Sequence, residues 1–258
     1  MATYNKRGHK PKNKKEREEK IKDESTTAEV FESLDESASK TEEFISKHQK
    51  TILGAVVVIA VLALGYLGYQ NLVLAPQEVE ASEEIVQAQR YFDNAVEADT
   101  KKMKDSLYTL SLDGGRGKLG FVAISDSYGS TKTGNLANYY AGMAYLELRN
   151  FKKAIAHLDE FKGEDKILST IALGSIGDAF LELDQKSEAL TYFEKAAKAN
   201  ANSFVTPKFH LKAAQTAIEL NEIKKAEKHL QAIKNNFPNT EEAKRADLFL
   251  GKAEALKQ

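Results

Sequence analysis

From Thr51 to Gln77 no residue is charged, and the run from Ile52 to Tyr69 within it is continuously apolar. At about 1.5 Å of rise per residue, about twenty helical residues cross the roughly 30 Å hydrocarbon layer of a bilayer. A helix that is apolar on every face belongs either inside a large bundle or in lipid. This one opens directly after a long charged tail, with no sheet or bundle partner near it in sequence, which favours lipid. A cleaved signal peptide is the other reading, with Val73-Leu74-Ala75 as a small-residue cleavage site. The preceding tail of about fifty residues is too long for that, and Pro76 would follow the scissile bond, so an uncleaved anchor is expected. Lys40, Lys47 and Lys50 lie before the span, and no Lys or Arg follows it until Arg90. Basic residues stay on the cytoplasmic side, so the N-terminus is expected inside and the large C-terminal part outside. Gly54, Val61, Gly65, Gly68 and Leu72 share one face of this helix, a strip that fits either contact with another membrane helix or incidental glycine use facing lipid.

The net charge of −1 conceals segregation, because Lys6 to Lys22 carry nine Lys or Arg against three Glu, whereas Asp23 to Ser46 carry eight acids against Lys40 alone. The basic tail, with Lys6, Arg7, Lys10, Lys12, Lys14, Lys15 and Arg17, has too little apolar content to fold alone. Its expected partners are anionic lipid head groups or ribosomal RNA, with a purely topogenic role as the plainer alternative. Val30, Phe31, Leu34, Ala38, Thr41, Phe44, Ile45 and His48 recur at three- and four-residue intervals, which predicts an amphipathic helix before the span. The chain has no cysteine, which removes disulfides, thiolate metal sites and a cysteine nucleophile from consideration.

After the span the chain reads as helix after helix, with breaks at Asp113-Gly114-Gly115, Gly129, Gly163 to Asp165 and Asn200 to Pro207, and nothing alternates with a strand's period of two. Three stretches share a small residue, an aromatic or small residue three later, Ala twelve later and a bulky apolar residue sixteen later. These are Gly142, Tyr145, Ala154 and Leu158; then Gly177, Phe180, Ala189 and Phe193, 35 residues on; then Ala214, Ala217, Ala226 and Leu230, with Pro238 after them. Small residues are needed where two helices of a hairpin cross closely, and the large ones fill the space beside them. On these residues the stretch from Asn135 to Asn239 resembles the tetratricopeptide repeat family. The expected fold is therefore all-α, a single transmembrane helix followed by a helical-hairpin solenoid.

The chain divides accordingly into a basic tail (1–27), an amphipathic juxtamembrane helix (28–50), the transmembrane helix (51–75), a degenerate first helical unit (76–134), three repeats (135–239) and a capping helix (240–258). Pro76 is read as the stop of the span, and the degenerate unit as helices over 77–99, around 103–110 and over 119–128. The tail, the single anchor, Gly120-Phe121 and the segment Gly134 to Gly142 together resemble the YfgM-type ancillary subunits of the bacterial Sec translocon. That resemblance implies a single-pass protein of the bacterial inner membrane, its repeat domain periplasmic and tethered beside the export channel. There it would meet channel subunits, emerging chains and periplasmic chaperones. An envelope adaptor that joins assembly or division proteins, without handling unfolded clients, is the alternative.

The repeat resemblance also implies a groove lined by Leu136, Tyr139, Met143, Leu146 and Glu147, then Ile171, Gly174, Asp178, Leu181 and Glu182, then Lys208, Leu211, Gln215, Ile218 and Glu219. Tyr139 and Met143 stand where the family's carboxylate clamp has Lys and Asn, so that function is not expected. The protein-binding residues are taken as Leu136, Tyr139, Met143, Leu146, Ile171, Asp178, Leu181, Leu211 and Ile218, an apolar set suited to extended hydrophobic segments unless another part of the assembly covers it.

No catalysis, cofactor or metal is expected. Gly115 to Gly120 fits the G-x-G-x-x-G spacing, but it follows a helix and no βαβ unit surrounds it, so a flexible turn is the better reading. His157, His210 and His229 match no ligand spacing and are taken as solvated or packed.

Overall fold

A computed structural model describes residues 45–163, 165–199 and 202–256 of the chain. The basic tail and most of the juxtamembrane segment, including Lys6, Arg7, Lys10, Lys12, Lys14, Lys15 and Arg17, lie outside the described residues. The chain falls into two units, Met1–Gly68 and Tyr69–Gln258.

The first unit contributes α1 (45–68). None of its most apolar stretch is buried. Ile59, Leu62 and Leu64 are 65–69% exposed, and Gly54, Gly65 and Gly68 have open space where a side chain would stand.

In the second unit Pro76 does not end the helix. The ring removes a donor and crowds the carbonyl four residues back. The chain widens into a π-helical turn, Gln70–Leu74, in which the Ala75 N–H donates to the Gln70 carbonyl five residues back, and α2 (Ala75–Glu97) follows with Pro76 in its first turn. Pro76 is thus absorbed by a change of helical register rather than acting as a stop. Helix α3 (Lys101–Asp113) is capped by Thr100, whose hydroxyl accepts from Met103 N–H.

The glycine-rich segment is not a loose turn. Gly114–Gly115 (β1) and Lys118–Leu119 (β2) pair antiparallel, with Arg116 and Gly117 at φ of 57° and 76° between them, the signature of a type I′ hairpin. Helix α4 (Phe121–Ser127) follows and is one short element of seven residues.

Three helical hairpins come next: α5 (Lys132–Glu147) with α6 (Phe151–Glu160), α7 (Lys166–Glu182) with α8 (Lys186–Ala199), and α9 (Thr206–Glu219) with α10 (Ile223–Asn236), closed by α11 (Glu241–Ala255). Each hairpin turns in the same way. Arg149, Asp184 and Asn221 sit at φ of 58–59°. The next residue in each case donates back to Tyr145, Phe180 or Ala217, six positions to one. This is the Schellman arrangement, which satisfies carbonyls left over at a helix end.

Among the described residues the core is a chain of three clusters. Ile85, Tyr108, Leu112, Phe121 and Ile124 pack with Ala137, Ala141 and Tyr145, so the irregular N-terminal helices are fused to the first repeat. Phe121 stacks on Tyr140 with ring centroids 5.1 Å apart, and Phe92 meets Tyr108 and Tyr140 edge-on. Leu158, Ala172 and Ile176 join the first and second repeats, and a larger cluster from Ala189 to Ala253 joins the rest. The small-to-large pairing of the repeat is seen directly: a Cβ on Gly177 would lie 2.6 Å from the Phe193 ring, and Gly142 faces Leu158 as closely.

Candidate protein-binding groove

Helices α5, α7 and α9 are the first helices of their hairpins and carry the residues expected to bind. Asp178, Leu181 and Ile218 come together in a cavity of about 360 Å³ between the second repeat, the third repeat and α11. The same cavity is lined by Lys212, Gln215, Glu219, Phe249 and Lys252. Lys212 Nζ donates to Asp178 Oδ2 at 2.7 Å and lies 5.5 Å from the Phe193 ring centroid, so the second and third repeats are tied across the groove. Leu211 and Ile218 are only 3% and 7% exposed. Helix α11 packs on α9, and its Ala246 and Ala253 share a core cluster with both residues, which leaves them little surface to offer.

Tyr139 and Met143 are half-buried against Leu158, Ala172 and Ile176. Tyr139 packs its ring 5.3 Å from Phe161, and burial pushes its hydroxyl above the ordinary pKa. Leu146 is half-buried on the N-terminal cluster, and Ile171 and Leu181 on the C-terminal one. Gly174 holds no open groove position, because the Phe209 ring of the next repeat occupies the space beside it. The two acids that end α7 and α9 also bridge repeats: Arg149 pairs with Glu182 at 2.9 Å and Lys186 with Glu219 at 3.1 Å.

Leu136 belongs to a second and larger cleft of about 1,120 Å³, framed by the end of α4, the start of α5, and α6 with the loop after it. Asp126, Asp159, Glu160 and Asp165 line it together with Lys132, Lys162 and His157. Its wall is fixed by Asn135, whose side-chain carbonyl accepts from Lys162 N–H at 2.8 Å. His157 Nδ1 lies 2.9 Å from Asn138 Oδ1 and its ring stacks on Tyr145. Burial holds that imidazole below its ordinary pKa.

The histidines are packed, but they are not isolated. His210 Nδ1 and His229 Nδ1 are 2.9 Å apart, and His229 Nε2 lies 3.4 Å from Glu194 Oε1. Asn138 with His157 and His210 with His229 are both 19 residues apart. Each pair joins the same two positions of a hairpin, so the spacing carried a signal that ligand motifs do not capture. Among the described residues no group of three or more His, Asp or Glu is arranged to hold a metal ion.

Stacked helical hairpins closed by identical left-handed turns, small residues facing large ones across each hairpin, define an α-solenoid, a class whose extended surfaces bind other proteins. Tetratricopeptide repeat family models match residues 136–165, 171–203 and 210–240, one in each hairpin. These three segments match tetratricopeptide repeats, a family of protein-interaction modules. No curated protein matches the chain.

Proposed function

We propose that this protein is a single-pass scaffold of the bacterial inner membrane, its repeats periplasmic, that acts as an accessory or chaperone-like subunit beside the Sec export channel. The repeats supply the interaction module. The observation that carries the rest is α1, a helix with large aliphatic side chains exposed all round, which water does not tolerate and lipid does. The orientation rests on Lys47 and Lys50 before the span and on the lack of Lys or Arg after it until Arg90. The partner rests on the resemblance to the YfgM-type subunits. The groove around Asp178, Leu181 and Phe249, apolar with a few charges, suits brief contact with extended segments.

Two experiments test it. The natural chain has no cysteine, so single cysteines at Ser46 and Ser203 can be probed in intact cells with a membrane-impermeant thiol reagent. Labelling of Ser203→Cys but not Ser46→Cys is expected. The reverse pattern overturns the orientation. Affinity purification of the full-length protein in mild detergent is expected to recover channel subunits. Recovery of a stable division or envelope complex in their place assigns the adaptor role instead.

A further inference from the structure

The histidine pair occupies the junction of α8, α9 and α10, where the third repeat seats on the second. Glu194 of α8 accepts a hydrogen bond from His229 Nε2–H, which leaves the Nδ1 of a neutral His229 as a lone pair. His210 of α9 faces that lone pair at 2.9 Å and must be the donor, through Nδ1–H. The network is complete with both imidazoles neutral. One extra proton can sit on His210 Nε2 and leave the bond intact. A second sets N–H against N–H.

The surroundings also resist positive charge. Lys198 from α8 and Lys228 from α10 face the pair, and Lys225 of α10 lies near Glu194, the carboxylate that contacts His229. Phe237 closes the far side of His210 with ring centroids 6.4 Å apart. Burial first, then His229 and Lys198, push His210 down to about 4, and burial also lowers His229 against the pull of Glu194.

We propose that the His210–His229 pair makes the seating of the third repeat acid-labile, so that the groove wall built by α9 loosens as the pH falls below neutrality. The neighbour of His210 and Leu211 on that helix is Lys212, whose ion pair with Asp178 spans the groove. Loosening α9 therefore alters the binding surface as well as the fold.

The sign follows from linkage. A histidine whose folded pKa is depressed binds its proton more readily in the open state, so stability falls as pH drops through the ordinary value of 6.5 and stops falling only below the folded value. Each proton of difference raises the opening constant about tenfold per pH unit. The window from pH 6.5 to 5.0 stays above the ordinary carboxylate range.

The test is amide hydrogen exchange on the full-length protein in detergent, corrected for intrinsic rates. From pH 6.5 to 5.0 the opening of α9 and α10 is expected to increase at least about fifteenfold relative to α2 and α3, which contain no histidine. In His210→Phe and in His229→Gln this excess is expected to shrink, and with both substitutions together to vanish. Parallel changes in all four helices of the natural protein overturn the proposal, whether or not either variant folds. An undiminished excess in a folded variant overturns it too.

Discussion

Gly177 and Phe193 show how strictly single residues are specified where two helices of a hairpin cross. The Phe193 ring is fully buried and already fills the volume a side chain on Gly177 would need. Overpacking of this kind costs about 1–3 kcal/mol. Gly177→Val is therefore expected to lower Tm by several degrees in thermal melts of the full-length protein, and Gly177→Val with Phe193→Leu to recover part of the loss. An unchanged Tm in the single variant would mean the helices are not held at this distance. This pairing was legible in the sequence because both partners lie in one hairpin, sixteen residues apart, and recur. The role of Gly174 was not, since its partner Phe209 comes from the next repeat and the contact occurs once. Leu211 and Ile218 fit the groove register, but a one-hairpin pattern does not report that α11 shares their core.

Turns and caps decide where each element ends, and there the side chains do work that periodicity does not display. Asp184 holds a left-handed conformation at the end of α7, which costs an L-residue roughly 1–2 kcal/mol. Glycine avoids that strain but loses about 0.5–1 kcal/mol of chain entropy. Asp184→Gly is thus expected to stabilise by about 0.5 kcal/mol, whereas Asp184→Val, β-branched at positive φ, should destabilise by more than that. Urea titration of the two variants in parallel checks the opposite signs. Upstream, two carboxylates of α2 hold the irregular unit together. Glu84 takes Lys118 Nζ at 2.6 Å and Leu119 N–H at 3.1 Å from the hairpin, and these bonds lower its pKa. Glu78 takes the Thr133 hydroxyl at 2.6 Å and backbone N–H at 3.2 Å at the start of α5; burial opposes ionisation, but the hydrogen bonds outweigh it and its pKa is lowered. A carboxylate with a depressed folded pKa contributes stability above the ordinary 4.5 and loses it as pH falls through the folded value. Replacing both with Gln should therefore lower Tm at pH 7, by an amount that shrinks as the pH is taken below 4.5, a comparison that separates charge from packing. Neither clamp was visible in advance, because Glu78 and Glu84 meet partners 55 and 35 residues away. The hairpin that Glu84 holds was read as a turn, since two-residue strands are too short to show alternation.

At the scale of the molecule, a fused helical array follows in sequence a helix whose most apolar stretch is unburied among the described residues. The order of these parts was legible in the sequence, as the uncharged run and the 35-residue recurrence survive any local detail. The place of Pro76 was not, because proline is a stop signal in most helices and here it sits in the first turn of α2, directly after the Gln70–Leu74 π turn. The membrane reading leads to a quantitative expectation. Val58 and Leu62 are 58% and 68% exposed near the middle of the uncharged stretch. A lysine or arginine at the centre of a spanning helix opposes insertion by about 2.5–3.5 kcal/mol. Val58→Lys with Leu62→Lys sums to about 5–7 kcal/mol on that scale, enough to offset the transfer of several aliphatic side chains. The double variant is expected in the soluble fraction after alkaline carbonate extraction, where the natural protein stays with the membranes. Retention of both would place the exposed face of α1 against protein rather than lipid. Retention of neither would leave α1 a surface helix, with its aliphatic side chains covered by a partner.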